Sequence, residues 1–410
     1  MITFDYITVF TAAQPVNKSV TINNGKPHKV MTSPQREMQA RTVAVPDAEA
    51  FVEVLKEVGD DPCKCISLGF VQGTEDGQPY GVLSAKQLKL GLNLPDSADT
   101  PVGFHDLDGE QYCARSKSNF TQSNWLLFDK DTAPGQPDAL VTEDVDEWLG
   151  WMGELTPGFA ESGKVVVGST SGRVLLDGAP AFTGGGLHCY VQISDPEDVP
   201  NFKRELLAHA TGGPYGFLKP SFRKATGEVV SHQPWTIADV SVFSPERLVF
   251  DGAPVVKGEG LAVADTEVRV IDGGLLDLSL TVASADDLAR CSAVHGLKVT
   301  RDRVAGVSTI SMQDEAALTV DTVIETQKGS LTVGEFWQSD HKKLRCQTPF
   351  RPDSTSWAAF MSRHDNGAPF LFDSGSGIKY VLGADQLSQN VGLMIDQLSE
   401  LSSEADVDAN

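Results

Sequence analysis

A mixed α/β fold of the α+β kind, followed by a small β-rich domain, is what this sequence predicts, and three observations predict it. Between about residues 124 and 213, short apolar runs alternate with amphipathic segments, as strands and helices do in turn. Helix-start and helix-stop residues punctuate that alternation. Beyond about residue 320 it gives way to short β-like runs separated by Gly and Asp.

Each element has its own justification. From Pro46 to Gly59, Ala48, Phe51, Val52, Val54 and Leu55 recur at near-helical spacing and Gly59 supplies a stop, so a helix is expected. Asn124–Asp129 is an apolar run ending in a carboxylate, and the turn residues Thr132–Pro137 follow it. This reads as a buried strand that empties into a loop. A helix is expected over Thr142–Leu155, and strands over Lys164–Gly168 and Leu187–Ile193. The Gly- and Ser-rich stretch Ser169–Gly186 between them reads as a loop or hairpin. Asp195 and Pro196 open a further helix, with Phe202, Leu206, Leu207 and Ala210 on one face and Gly212-Gly213 as its end. The expected organisation is a catalytic domain over 1–275, a connecting region over 276–319, a β-rich domain over 320–385 and an acidic tail over 386–410.

With 410 residues the chain has room for two or three domains, because cores split beyond roughly 250–300 residues. Hydrophobic residues at 40% and charged residues at 22% exclude a disordered or fibrous chain. No apolar run approaches the ~20 residues of a membrane helix, and Met1–Tyr6 lacks a basic segment leading into an apolar one. The expected location is the cytoplasm, that of the host cell if the chain is phage-encoded, with no membrane partner. The six cysteines are scattered, and Cys63 and Cys65 stand closer than zinc-knuckle spacing allows. Reduced thiols are expected. A formal net charge of −23 argues against tight, sequence-independent binding of duplex DNA, which relies on Lys and Arg at the phosphates. It leaves room for a metal-dependent site, which needs local carboxylates and only a local basic track.

Candidate chemistry begins at Asp129-Lys130-Asp131. Residues two apart on an extended chain point to one side, so both carboxylates could face a divalent ion pair. Nucleotidyl transfer uses two such ions roughly 3.5–4 Å apart, and hard cations take oxygen ligands. Plain turn chemistry before Pro134-Gly135 suits the same residues. His188 is embedded in an apolar strand behind Gly184-Gly185-Gly186, where glycine lets a substrate approach the backbone. Packing is the plainer use of a strand histidine. Asp239 stands near an apolar segment and the basic Arg247. Lys219, Arg223 and Lys224 form the densest basic cluster between His188 and Asp239, fitting either phosphate contact or a solvated loop.

In this order, Phe128-Asp129-Lys130-Asp131, Gly186-Leu187-His188 and Asp239-x-x-Val242-Phe243-x-x-x-Arg247-Leu248 resemble the motifs of the archaeo-eukaryotic primase superfamily. The likeness is to its phage and plasmid primase-polymerases, and Arg115–Phe120 is similar to the approach to the first motif. It covers roughly residues 110–255. The resemblance implies a core with an RRM-like antiparallel sheet and flanking helices, and a nucleotidyl transferase acting on single-stranded DNA with nucleoside triphosphates. It implies Mg²⁺ or Mn²⁺ held by Asp129, Asp131 and Asp239, with the nucleotide contacted by His188, Gly186, Lys219, Arg223 and Arg247.

No Gly-x-x-x-x-Gly-Lys-Ser/Thr segment occurs, so a separate replicative helicase is an expected partner. The segment Cys346–Ser356 is similar to the start of the zinc ribbon of bacterial-type primases, but Arg351, Asp373 and Ser376 stand where metal ligands would be. A metal-free β module is expected there. Two rival functions are a rolling-circle initiator and a non-catalytic single-strand-binding or scaffold protein. The first needs a second histidine two residues after His188, where this chain has Tyr190.

Overall fold

The computed structural model describes residues 5–382 apart from 31–36, 96–97, 183–185, 223–226, 228, 296–297, 305–306, 328, 351–356, 365–366 and 374–377. The chain forms two compact units, the first made of Met1–Ala210, Tyr215–Phe217 and Trp235–Val282, the second of Thr211–Pro214, Leu218–Pro234 and Ala283–Asn410. Among the described residues, no helix is long and apolar enough to cross a membrane.

In the first unit, β1 (Tyr6–Thr11), β4 (Glu37–Ala44), β5 (Lys64–Ser67), β6 (Pro79–Ser84), β7 (His105–Leu107) and β8 (Glu110–Arg115) make a six-stranded sheet in the order β5-β1-β4-β6-β8-β7. Between β1 and β4 a hairpin is inserted, β2 (Ser19–Asn23) and β3 (Lys26–Val30). Its turn residues Asn24 and Gly25 both have positive φ, 50° and 73°, as tight hairpin turns require. Helix α1 (Ala48–Gly59) follows β4, and the Asp47 side chain caps it by accepting from the Ala50 amide. Phe51, Val54, Leu55 and Val58 form its buried stripe.

The second sheet of this unit carries the motifs. Its strands are β9 (Trp125–Lys130), β11 (Leu187–Gln192), β10 (Lys164–Gly168) and β12 (Val268–Ile271), adjacent in that order and antiparallel throughout. Helix α2 (Val145–Leu155) links β9 to β10 and begins three residues later than expected, because Asp144 accepts from the Asp146 and Glu147 amides and so fixes the start. After β11, Asp195 caps a short 3₁₀ turn, Pro196–Asp198, which runs on into α3 (Val199–Gly212). The Gly/Ser-rich stretch between β10 and β11 forms a hairpin of Val174–Leu176 and Ala179–Pro180.

Alternation along β9 assigns its side chains to two faces. Leu126, Phe128 and Lys130 point one way, and Phe128 meets Phe159, Phe202 and Phe243 edge-on at 5.3, 6.0 and 5.7 Å between centroids. On the other face Phe51 of α1 packs against Trp125 and Tyr190, each at 4.6 Å. Each fully buried ring of this kind stabilises the unit by roughly 1.5–3 kcal/mol. Asp129 shares that second face, so the same sheet that buries α1 presents the carboxylate.

The second unit contains an eight-stranded sheet ordered Lys298–Val304, Val307–Leu318, Ile378–Leu382, Pro369–Asp373, Ala359–Arg363, Lys343–Cys346, Val323–Thr326, Gly329–Thr332. Residues 276–319, expected as a connecting region, instead supply a helix, Ala285–His295, and the first two of these strands. Polar runs such as Thr300-Arg301-Asp302-Arg303 conceal a strand from a hydrophobicity reading, whereas the antiparallel ladder from Lys298↔Gln313 to Val304↔Val307 forms regardless. Cys346 is buried with Phe336, Phe350 and Tyr380, and burial pushes its thiol up to about 12. Asp373 is fully buried, while Arg351 and Ser376 lie outside the described residues.

Candidate active site

The strand register builds the site. Asp129 of β9 is paired directly with His188 of β11, and the imidazole Nε2 lies 3.6 Å from Asp129 Oδ1. Asp239 joins them through its backbone, its amide donating to the Asp129 carbonyl at 2.8 Å. From there Asp239 caps a 3₁₀ turn, Val240–Phe243, its carboxylate accepting from the Ser241 amide at 2.7 Å and the Ser241 hydroxyl at 2.9 Å. Phe243 of that turn is one of the rings around Phe128, so the apolar packing under β9 also fixes where Asp239 starts.

The carboxylates repel one another. Burial pushes the Asp129 carboxyl up to about 6, with Asp239 and Asp131 adding to the rise and His188 and Lys18 opposing it. Asp131 lies just beyond the strand and is exposed, whereas Lys130 between the two points to the opposite face and donates to the Thr142 carbonyl. The alternation that makes Asp129-Lys130-Asp131 a candidate motif thus separates acid from base.

His188 is held from behind by a residue that sequence reasoning missed. Its Nδ1 lies 2.7 Å from Asp251 Oδ1, and the Tyr190 hydroxyl donates to the other oxygen of the same carboxylate. All three side chains are buried. Burial pulls the His188 imidazole down, but the carboxylates of Asp251 and Asp129 outweigh it and hold the ring above its ordinary value. Burial, then Asp251, keeps the Tyr190 phenol well above the usual range, so this tyrosine is a sequestered donor and unsuited to act as a nucleophile. The sequence did contain a signal: Leu248-Val249-Phe250-Asp251 repeats the apolar-run-then-Asp pattern of Leu126-Leu127-Phe128-Asp129.

Asp251 is positioned by its neighbours. Val249 exchanges backbone hydrogen bonds with Ile66, at 2.8 and 3.0 Å. Gly252 packs so closely that a Cβ there would stand 2.2 Å from Asn17 Nδ2 and 2.4 Å from the Asp61 carbonyl. Buried Arg173 points a guanidinium nitrogen at the Asp251 carbonyl, 3.5 Å away.

Two further basic residues come from the β2–β3 hairpin and the residue just before it. Lys18, whose carbonyl accepts from the Val255 amide, acts electrostatically on both Asp129 and His188. Lys29 stands over the Phe182 ring at 4.4 Å; burial and Lys18 lower its pKa while Asp131 opposes them.

The remaining sequence candidates are distributed differently. Gly186 is not a clear approach for a ligand, since a Cβ there would meet Ser169 Oγ at 2.3 Å and its carbonyl already accepts from the Ser169 amide. Its smallness serves the hairpin between β10 and β11. Arg247 is exposed and within electrostatic range of Arg115. Lys219 belongs to the second unit, and Arg223 and Lys224, with Gly184 and Gly185, lie outside the described residues.

As the side chains stand, no group of three His, Cys, Asp or Glu among the described residues is placed to hold a metal ion. Donor type and charge nevertheless suit a hard divalent cation: three carboxylates, two of which raise the pKa of the third, make a cluster that a cation would relieve. Asp239 keeps acceptor capacity beyond its two bonds to Ser241. Set against models of protein families, curated proteins and solved structures, the chain matches none of them.

Proposed function

We propose that the first unit is a template-dependent nucleotidyl transferase, a primase-polymerase that starts and extends primers on single-stranded DNA. The observation that carries this reading is the meeting of three separated motifs, with Asp129 opposite His188 and the Asp239 amide bonded to Asp129. The succession β9, α2, β10, β11, α3 is a split β-α-β-β-α arrangement, in keeping with the RRM-like core that the resemblance implies.

In this reading Asp129, Asp131 and Asp239 hold Mg²⁺ or Mn²⁺, which when bound supplies Lewis-acid stabilisation of the attacking hydroxyl and the departing oxygen. His188 contacts the triphosphate. A polyanion entering a carboxylate cluster also needs positive charge around it, and Lys18 and Lys29 are the residues assigned that task. Orientation of the triphosphate then falls to groups fixed on strands, which hold it in reacting geometry at low entropic cost.

The test is incubation of the full chain with a primed and an unprimed single-stranded template, Mg²⁺ or Mn²⁺ and labelled nucleotides. Expected are extended products, and from the unprimed template new short ones. Lys18→Ala and Lys29→Ala should each raise the nucleotide KM about tenfold, the worth of one charge-assisted contact, with kcat nearly unchanged. DNA binding with no incorporation under any condition would replace the reading with that of a non-catalytic single-strand-binding protein.

A further inference from the structure

The Asp251–His188–Tyr190 network lies within the site, yet none of the motif residues accounts for it. Asp251 comes from a loop 63 residues beyond His188 in the chain and spends both carboxylate oxygens on this one cluster. The ring of His188 is therefore fixed at one edge, through Nδ1 at 2.7 Å, while Nε2 at the other edge lies toward Asp129.

We propose that Asp251 is a positioning residue for nucleotide binding: by accepting from His188 Nδ1 and the Tyr190 hydroxyl, it holds the His188 Nε2 edge toward the triphosphate. This rests on the nucleotidyl-transferase reading given above. The argument is one of hydrogen-bond complementarity. An imidazole on a strand can turn about its side-chain bonds and present either nitrogen, and a ring that presents the wrong one cannot donate to a phosphate. A buried carboxylate with one oxygen committed to Tyr190 leaves a single acceptor for Nδ1, so that nitrogen carries the proton and the ring has one orientation. The backbone that carries Asp251 is anchored on both sides, with Val249 bonded to Ile66 and Gly252 packed against Asn17, and its carboxylate is held by its two hydrogen bonds. Phe51 packing on the Tyr190 ring closes the cluster from above. The arrangement is that of a metal-ligand or catalytic histidine oriented by an outer carboxylate, used here on a nucleotide contact.

Asp251→Asn keeps the shape but offers one acceptor and one donor in place of two acceptors. Expected is a rise of tenfold or more in the nucleotide KM, matching that of His188→Ala, with much less change in kcat. The double variant His188→Ala/Asp251→Asn should be no worse than His188→Ala alone, since Asp251 acts only through the ring. Multiplying effects, or an unchanged KM in Asp251→Asn, would overturn the proposal. Ring ¹⁵N spectra of the wild-type protein give a readout independent of activity, and Nδ1 of His188 should carry a proton that Asp251→Asn perturbs. An Nδ1 without a proton in the wild type would overturn the proposal even if the protein proves to be an active polymerase. A wild-type protein that incorporates no nucleotide but shows the expected ring state would count against the polymerase reading and leave the orienting role of Asp251 standing.

Discussion

Asp129→Asn and Asp239→Asn are each expected to lower primer synthesis and primer extension by about a thousandfold or more. A bound divalent ion in phosphoryl transfer is worth several kcal/mol in the transition state, and each 1.36 kcal/mol is a factor of ten in rate. Both reactions depend on the same activated hydroxyl, so both fall together. Binding of single-stranded DNA, followed by fluorescence anisotropy, should persist within about twofold, because neither carboxylate attracts a phosphate backbone. His188→Ala differs in kind: priming must capture two free nucleotides, so it should suffer more than extension. Wild-type rates in either Asn variant would remove the acidic cluster from the chemistry.

The second large effect concerns stability without metal. Burial, and then Asp239 and Asp131, push the Asp129 carboxyl from its ordinary 3.8 up to about 6 against the pull of His188 and Lys18. Between those two values the folded state binds more protons than the unfolded one, so stability falls as pH rises, and the full penalty is present above about pH 6. About two pKa units correspond to about 3 kcal/mol. The raised His188 acts with the same sign, its stabilisation complete below 6.5 and lost as pH climbs through its folded value. In chelator-treated protein, the melting temperature of Asp129→Asn minus that of wild type should therefore grow from near zero at pH 4 to on the order of 5–10 °C at pH 7.5. Mg²⁺ should raise the wild-type value at pH 7.5 far more than at pH 5, and Asp129→Asn should lose that response. A difference that stays flat across this range, or shrinks, would show that Asp129 is not under the strain described.

How much of this was legible in the sequence depends on the distance over which each feature is determined. Helices α1 and α3 are announced by apolar residues at helical spacing, with Gly59 as the stop of one and Asp195-Pro196 as the opening of the other, and α2 is announced in outline, its start set by Asp144 instead of Thr142; all are local signals. The strand ending in Asp129 is as plain, because four consecutive apolar residues, Trp125 to Phe128, buried on both faces leave no other reading. Asp251 is different: its role exists only because β11 and a loop beyond residue 248 come together, and the one local signal, an apolar run ending in Asp at Leu248–Asp251, does not say which histidine it meets. Lys18 and Lys29 sit just before and on a short polar hairpin that resembles any solvated surface, and their value lies in the carboxylates they face. The glycines before His188 mislead in the opposite sense, since the one described, Gly186, is small for the sake of Ser169. Chemistry-bearing side chains were readable where a strand presents them, and unreadable where tertiary packing recruits them.

Gly252 gives that distinction a genetic form. It bears no functional group, yet any side chain added to it must displace Asn17 or the backbone at Asp61, and the strain falls on a chain neighbour of Asp251. On the proposed reading, activity would therefore depend on a position with no chemistry of its own to lose. If the polymerase reading holds, variants selected only for inactivity are expected at Gly252 as well as at Asp129, with suppressors of a Gly252 change at Asn17 rather than among the carboxylates.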